Sequence, residues 1–352
     1  MKFRSKKRSA IGLDVGSRII KAAQLAWGEG RYRIEALALL PRTETGDAFK
    51  QEEVRQLKRT LQRQGFQGAK VVLAVRDQEL LRGSIELPPG VTGAPVAQMA
   101  RMELSRMHHI EPDAFEMVSW EMPLKDQGTS VNRMIAVACT HEIANAHLDE
   151  FERARMDVVA LDVRSAAAAR SCSALTVPMP AITAILDLGW SSTTLLLAGG
   201  NSIIYERVLE SPSLRVLADM LCKRFNILDK TACQVIDAVG FSATGQIDDL
   251  DQKSIEVVRQ MLVQHTGKMV EELKVPFAYA NHQLSAEGIQ RLLLIGGGAT
   301  IPGFAQHLES SVEIEVRQAA PGDVMENSPE IQTKVDNPAM MVAVGLAMFS
   351  GV

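Results

Sequence analysis

One pattern occurs twice in this chain: an apolar strand, an aspartate, one residue, a glycine, hydroxyl side chains, a second strand, a glycine turn and a third strand. The first copy opens with Ile11-Gly12-Leu13-Asp14-Val15-Gly16-Ser17, with Lys21 following; the second opens with Ala184-Ile185-Leu186-Asp187-Leu188-Gly189-Trp190-Ser191-Ser192-Thr193. Period and turn residues predict the strands Ala10–Val15, Ile19–Ala26 and Tyr32–Leu39, turned at Gly28-Glu29-Gly30, and then Ile182–Leu188, Thr193–Ala198 and Ser202–Arg207, turned at Gly199-Gly200-Asn201. A duplicated meander predicts two lobes on one plan. A third strand-then-glycine turn, Leu292-Leu293-Leu294-Ile295-Gly296-Gly297-Gly298-Ala299-Thr300-Ile301-Pro302-Gly303, follows later. Three such turns in this order predict a nucleotide clamped between the lobes.

The residue types suit that ligand. Mg²⁺ prefers oxygen ligands and keeps several waters, so Asp14 and Asp187 facing one gap would hold it through water. Gly16 and Gly189 let the backbone approach phosphate oxygens, which a Cβ would obstruct. Ser17, Ser191, Ser192 and Thr193 offer hydroxyls and backbone N–H donors, and Lys21 a point charge for phosphate. Gly296, Gly297 and Gly298 let a nucleoside lie close to the backbone, with a helix beginning near Gly303 behind it. Taken singly, an Asp-x-Gly or Gly-Gly-Gly after a strand is usually a tight turn. There is no GxxxxGK[ST] phosphate loop. The set of three carries the expectation.

Between the two copies, Glu52–Gln64 reads as an amphipathic helix ending at Gly65, and Lys70–Val75 as a short buried strand. Then come the strand Leu80–Leu87, closed by Pro88-Pro89-Gly90, the helix Pro95–Met107, the strands Phe115–Met122 and Asn132–Ala138, the helix Glu142–Arg155 and the strand Asp157–Leu161. This βαββαβ order is that of a ferredoxin-like insert within the first lobe. An Ala-rich helix, Val163–Cys172, returns to the second copy. Leu214–Phe225, Lys230–Ala238 and Ile255–Tyr279 read as helices, with a polar loop at Gly240–Asp251. Arg291–Ile295 and Val312–Gln318 read as strands around the helix Phe304–Ser311, and Pro338–Phe349 as a small-residue helix containing Gly345. The expected division is a basic arm at 1–9, a first lobe at 10–79 and 157–181, the insert at 80–156, a second lobe at 182–213 and 291–352, and a helical subdomain at 214–290.

The composition removes several classes. The chain has 352 residues, 46% of them hydrophobic, enough for more than one packed domain. Its net charge of -4 argues against wholesale nucleic-acid binding. The 4 cysteines form no CxxC pair, so neither a zinc ribbon nor a disulfide framework is expected, and reduced thiols are. No apolar run is long enough to span a bilayer, and the N-terminus does not read as a signal peptide. The basic residues Lys2, Arg4, Lys6, Lys7 and Arg8 fit a solvated arm or a weak attraction to an anionic membrane surface. His108-His109 and His141-Glu142 lack metal-site spacing, and Cys222 and Cys233 read as helix-packing thiols.

On the residues of its three turns the chain resembles the actin-like ATPase superfamily, which includes actin, the sugar kinases, the chaperone ATPases and the cell-division protein FtsA. Asp14–Lys21 matches the phosphate-1 motif of that superfamily, Asp187–Thr193 phosphate-2, and Gly296–Gly303 the adenosine motif. Over essentially its whole length the chain is most similar to the superfamily's type IV pilus assembly branch, through Ile11–Leu25, Leu87–Asp113, Val137–Arg170, Ala184–Arg207, Leu292–Gly303 and the ending Ala343–Met348. The amphipathic tail of FtsA has no counterpart. The insert resembles the subdomain 1C shared by that branch and FtsA, and argues against actin and the chaperones. The resemblance implies an α/β, two-lobed actin-like ATPase fold with duplicated mixed-sheet lobes (subdomains 1A, 2A and 2B) and the insert as 1C. It further implies a scaffold that binds ATP or ADP with Mg²⁺ and receives the cytoplasmic N-terminal tail of PilN, near Leu80–Leu87 and Val96–Met107. Through PilN it would join PilO and the inner-membrane pilus complex, and it would meet the pilus ATPases. The location implied is cytoplasmic, peripheral on the inner membrane through partners.

Hydrolysis needs a group that orients or deprotonates water. The helix linking the lobes begins Leu161-Asp162-Val163-Arg164-Ser165-Ala166, and relatives commonly carry an acidic residue near Arg164. Asp162 fits either a substitute catalytic residue or a helix cap, and Arg164 either a phosphate-neutralising charge or a solvated one. The expectation is nucleotide binding with slow or absent ATPase activity. Two other readings stand beside the scaffold: a filament-forming FtsA-like cell-division protein, and a small-molecule kinase on the same fold.

Overall fold

The computed structural model describes residues 7–28, 30–42, 51–87, 94–122, 132–200, 202–210, 213–241, 251–284, 287–327 and 331–349. Outside them lie Lys2, Arg4 and Lys6 of the basic arm, Glu29 and Asn201 of the two glycine turns, Pro88-Pro89-Gly90, and 242–250 of the polar loop.

Lys7–Arg8 (β1), Ile11–Val15 (β2), Ile19–Gly28 (β3) and Arg31–Pro41 (β4) open the first lobe, followed by the helix Gln51–Arg63 (α1) and the strand Lys70–Val75 (β5). β1, part of the expected arm, pairs with Ala26 and Trp27 at the end of β3. β2, β3 and β4 are antiparallel neighbours, whereas β5 lies parallel to β2. A parallel neighbour requires a crossover, and α1 supplies it, burying Val54, Leu57 and Leu61 with Leu13 and Val71.

The strand Leu80–Leu87 (β6), the helix Ala94–His108 (α2) and the strands Phe115–Glu121 (β7) and Asn132–Thr140 (β8) form a separate antiparallel sheet, ordered β6-β8-β7, around Ile85, Leu104 and Phe115. The helix His141–Arg153 (α3) and strand Asp157–Val163 (β9) complete a βαββαβ order along the chain, yet they do not complete the insert's sheet. β9 pairs parallel with β5, and Phe151 of α3 packs among Leu57, Leu61 and Leu73 of the first lobe. Alternation marks a strand as half-buried without saying which sheet it joins.

Arg164–Cys172 (α4) leads into the second lobe, made of Ile182–Leu188 (β10), Thr193–Gly199 (β11), Ser202–Leu209 (β12), the helices Leu214–Phe225 (α5), Asp229–Val239 (α6) and Gln252–Tyr279 (α7), then Ile289–Ile295 (β13), Phe304–Val312 (α8) and Glu315–Gln318 (β14). Its order β12-β11-β10-β13-β14 repeats, strand for strand and sense for sense, the β4-β3-β2-β5-β9 of the first lobe. Alternate residues of these buried strands face opposite layers. Leu186, Leu195 and Leu292 meet Leu217, Leu262 and Leu308 of α5, α7 and α8. Ile185, Leu196 and Leu293 meet Ala167 and Cys172 of α4.

Residues 291–352 are expected in the second lobe from sequence, and the structure divides them. After Pro321–Val324 (α9), the short strand Glu326–Asn327 (β15) pairs parallel with β4 at the edge of the first-lobe sheet. Gln332–Val335 (α10) and Met341–Ala347 (α11) follow; Val335, Ala343, Val344 and Ala347 pack with Ala23, Leu25 and Leu37 of that sheet. The other side of α11, through Met341, Val342 and Leu346, packs with Ala167, Ile185 and Leu293. Every residue of α11 is buried, so its sequence has no polar face to indicate a lobe. α4 and α11 thus lie between the two sheets at backbone contact distance. A Cβ on Gly345 would overlap the Ala167 carbonyl, and one on Gly12 would overlap the backbone of Ala343 and Ala347.

A candidate nucleotide cleft closed by an internal cation

Ligands of open α/β sheets gather outside the carboxyl ends of the strands, and both sheets point those ends into one cleft. β2 delivers Asp14, β5 delivers Arg76 and Asp77, β9 runs into Arg164, and β10 delivers Asp187. The cavity there is about 970 Å³. Asp14, Gly16, Ser17, Lys21, Asp187, Gly189, Ser191, Ser192, Gly296 and Gly297 all line it, so the structure brings together ten residues singled out from sequence. The hydroxyls of Ser17 and Ser191 meet across the gap. Gly296 has φ +85°, and a Cβ there would strike Asp187 Oδ1 and the backbone of Leu188, so the position is closed to a side chain on two grounds.

Three of the selected residues lie elsewhere. Thr193 begins β11, is buried, and pairs with Leu209 of β12. Gly298 makes room for Leu188 and Leu214, a packing role. Asp162 is turned away from the cavity: its Oδ2 accepts from Arg170 Nη1 at 2.9 Å and its Oδ1 from the Val163 N–H. Arg170 also donates to the Gly345 carbonyl. The N-cap of α4 is Val163, without a side-chain bond, so Asp162 serves neither as that cap nor as a residue lining the cleft.

Arg164 is the residue whose sequence reading changes most. Its side chain is half-buried between the lobes, 18% exposed, and paired. Its Nη1 donates to Asp14 Oδ1, its Nη2 donates to Asp187 Oδ2 at 2.9 Å, and its Nε lies 3.8 Å from Asp77 Oδ2. Lys21, directly opposite Asp14 on β3, donates from Nζ to the other Asp14 oxygen at 2.8 Å. Burial works against ionised Asp14, but Arg164 and Lys21 outweigh it and hold the carboxyl below its usual range. Burial would likewise lower Arg164, and the surrounding carboxylates overturn that and raise it. A hydrated magnesium ion needs free carboxylate lone pairs on both sides of the gap. Both oxygens of Asp14 and one of Asp187 accept from cations of the chain, and the Arg164 guanidinium bridges the gap in which the Mg²⁺ expected from sequence would lie, so the residues as placed do not fit that ion. Among the described residues no group of three His, Cys, Asp or Glu side chains is placed to hold a metal ion.

Sequence reasoning missed the contacts that tie the lobes together. The Arg18 guanidinium lies 4.1 Å over the Trp190 ring, donates to Cys233 Sγ and pairs with Asp229 at 3.1 Å. Arg82 on β6 and Ser165 on α4 both donate to the buried carboxylate of Glu206 on β12. Trp120 of β7 donates its indole N–H to the Ile203 carbonyl. The one legible signal was the pair Arg76-Asp77, charged residues placed immediately after the buried strand β5.

Comparison with known proteins agrees with this geometry. A family model described as type IV pilus assembly protein PilM matches residues 12–350. A solved "PilM-PilN type IV pilus biogenesis complex" is similar at 20% identity and TM-score 0.78, covering 97% of this chain and 98% of that one. The ethanolamine utilization protein EutJ from Carboxydothermus hydrogenoformans is similar at 14% identity and TM-score 0.54, covering 98% of this chain and 90% of that one. The two lobes are those of the actin-like ATPase fold. Among the described residues no helix is long and apolar enough to cross a membrane.

Proposed function

Since the chain belongs to the type IV pilus assembly protein PilM family, we propose that it is the actin-like scaffold of a pilus assembly machine. In this reading it holds the cytoplasmic N-terminal tail of a PilN-type membrane protein and so links the cytoplasmic and inner-membrane parts, PilO and the pilus ATPases among them. Its location is then the inner face of the inner membrane, reached through partners. The observation that supports this most is the family match, which runs through both lobes and the insert alike. The region to test first is the insert, where Met102 and Met107 of α2 are exposed beside β6.

The cleft of this scaffold binds ATP or ADP. Support comes from the ten residues of the three glycine turns that meet there, with hydroxyls, backbone and Lys21 facing the cavity. Turnover is slow or absent. The helix that enters the cleft presents a guanidinium, which accepts no proton, and Asp162 is paired elsewhere.

Calorimetry of the full chain with a synthetic peptide copying a PilN cytoplasmic N-terminus, with and without ATP, tests the reading. Saturable one-to-one binding is expected, and any effect of ATP measures the coupling free energy between cleft and partner site. No binding in either state, with the cleft shown to be occupied, would refute it.

A further inference from the structure

Nucleotide clefts with a carboxylate on each wall usually need a divalent cation, because phosphate and carboxylate repel one another. This cleft supplies a positive charge of its own at that place. Arg164 is the first residue of α4, and it bonds Asp14 of the first lobe with Nη1 and Asp187 of the second with Nη2, the latter at 2.9 Å. Its Nε faces Asp77 at 3.8 Å, and Lys21 holds the remaining oxygen of Asp14 at 2.8 Å. The remaining oxygen of Asp187 lies against Gly296, in the space a Cβ would occupy. Asp77 is also paired with Arg82 at 2.7 Å, so the three carboxylates meet three cations of the chain, and the gap between Asp14 and Asp187 is filled by one of them, Arg164.

We propose that Arg164 stands in for the divalent cation, so that the cleft takes a nucleoside polyphosphate without Mg²⁺. This deepens the nucleotide-binding reading above and rests on it. A guanidinium suits the place. It is planar, always charged, and its fork of N–H donors spans two carboxylates or turns one edge to a phosphate. Unlike a bound ion, it cannot be removed by a chelator. Its single charge, fixed to α4, also ties nucleotide occupancy to the helix that packs on β11 and β12.

Two measurements on the full chain test this. The first titrates MANT-ATP by fluorescence in EDTA and in Mg²⁺. The second follows Mn²⁺ by electron paramagnetic resonance, Mn²⁺ being accepted by oxygen sites of the Mg²⁺ type. The wild type should bind MANT-ATP with affinities within about twofold in the two media and bind no Mn²⁺ stoichiometrically, whereas Arg164→Gln should show at least about tenfold tighter binding with Mg²⁺ and retain one Mn²⁺. One Mn²⁺ held by the wild type, or a tenfold gain from Mg²⁺ in the wild type, would overturn the proposal. Absence of MANT-ATP binding in both media would refute the nucleotide reading instead, and the Mn²⁺ result would still decide the role of Arg164. If Arg164→Gln does not fold by circular dichroism, the wild-type results decide alone.

Discussion

Ser17 Oγ and Ser191 Oγ lie 2.8 Å apart, although 174 positions separate them in the chain. They belong to the turns of the two copies of the strand-turn motif, one on each lobe, three residues after Asp14 and four after Asp187. Their contact joins the two turns across the cleft and sits in the gap where phosphate oxygens would enter. If both hydroxyls exchange this bond for phosphate, replacing either by alanine should weaken MANT-ATP binding by about three- to tenfold, the worth of one ordinary hydrogen bond. The urea midpoint should barely move, because the pair is exposed. Unchanged affinity in both variants would show that the turns do not touch the nucleotide.

Gly345 is placed where α11 rests on α4, with the Ala167 carbonyl in the position of a Cβ. Backbone cannot step aside as a flexible side chain can. Gly345→Val should therefore cost about 3 kcal/mol or more in unfolding free energy, or prevent folding. Urea denaturation compared with Ala347→Val, a substitution on the same helix, would separate this clash from general overpacking.

Asp14 has a carboxyl held below its usual value near 3.8, burial being outweighed by Arg164 and Lys21. A carboxyl depressed on folding contributes stability above its unfolded value, and that contribution is lost as pH falls through the folded value. The difference in unfolding free energy between wild type and Asp14→Asn should be constant above about pH 5 and shrink below about pH 4. A difference independent of pH down to acid unfolding would contradict the ionised assignment.

Glu206 shows the opposite sign. Burial raises its carboxyl above the usual 4.5, and Arg82 and Ser165 offset only part of this. Arg82→Ala would leave the carboxylate with Ser165 alone, at a cost of about 2 kcal/mol, discounted from the value for a fully buried pair because Arg82 is partly exposed. A carboxyl raised on folding loses stability as pH climbs above its unfolded value. The variant should thus be weaker at pH 8 than at pH 5 by thermal melting, relative to wild type, and an equal loss at both would mean that Glu206 is not the group responsible.

The parts of this fold that were legible share a reason. β2, β3, β10 and β11 carry both their period and their turns in adjacent residues, so Asp14 and Asp187 could be placed at strand ends without knowing the fold. Partnership was harder to read. The division placed β9 in the first lobe, but its alternation does not say that it lies beside β5, and α3, assigned to the insert, packs Phe151 on the first lobe instead. α11 is apolar all round and offers no face to assign. Arg164 was the least legible residue of the site, since its meaning depends on carboxylates 150 and 23 positions away that only the closed lobes bring to it. Asp162, two residues earlier, looked better by type and was claimed by Arg170 on the far side of the same helix.

The position of α11 also sets an order of events during synthesis. The described strands of the second-lobe sheet and the helices on its outer face lie between Ile182 and Gln318, whereas its inner face, partly covered by α4, still awaits Met341, Val342 and Leu346. The first lobe begins with β2 at Ile11 but keeps an open apolar face until Met341–Ala347 arrives to cover Ala23 and Leu25. Its closure requires contacts spanning nearly the whole chain, which are slow to form and leave hydrophobic surface exposed meanwhile. On the ribosome both sheets therefore wait for α11 to be closed, and a nascent chain stalled before residue 341 should leave the first lobe, made earliest, more open to cleavage than the second, whose outer face is already covered.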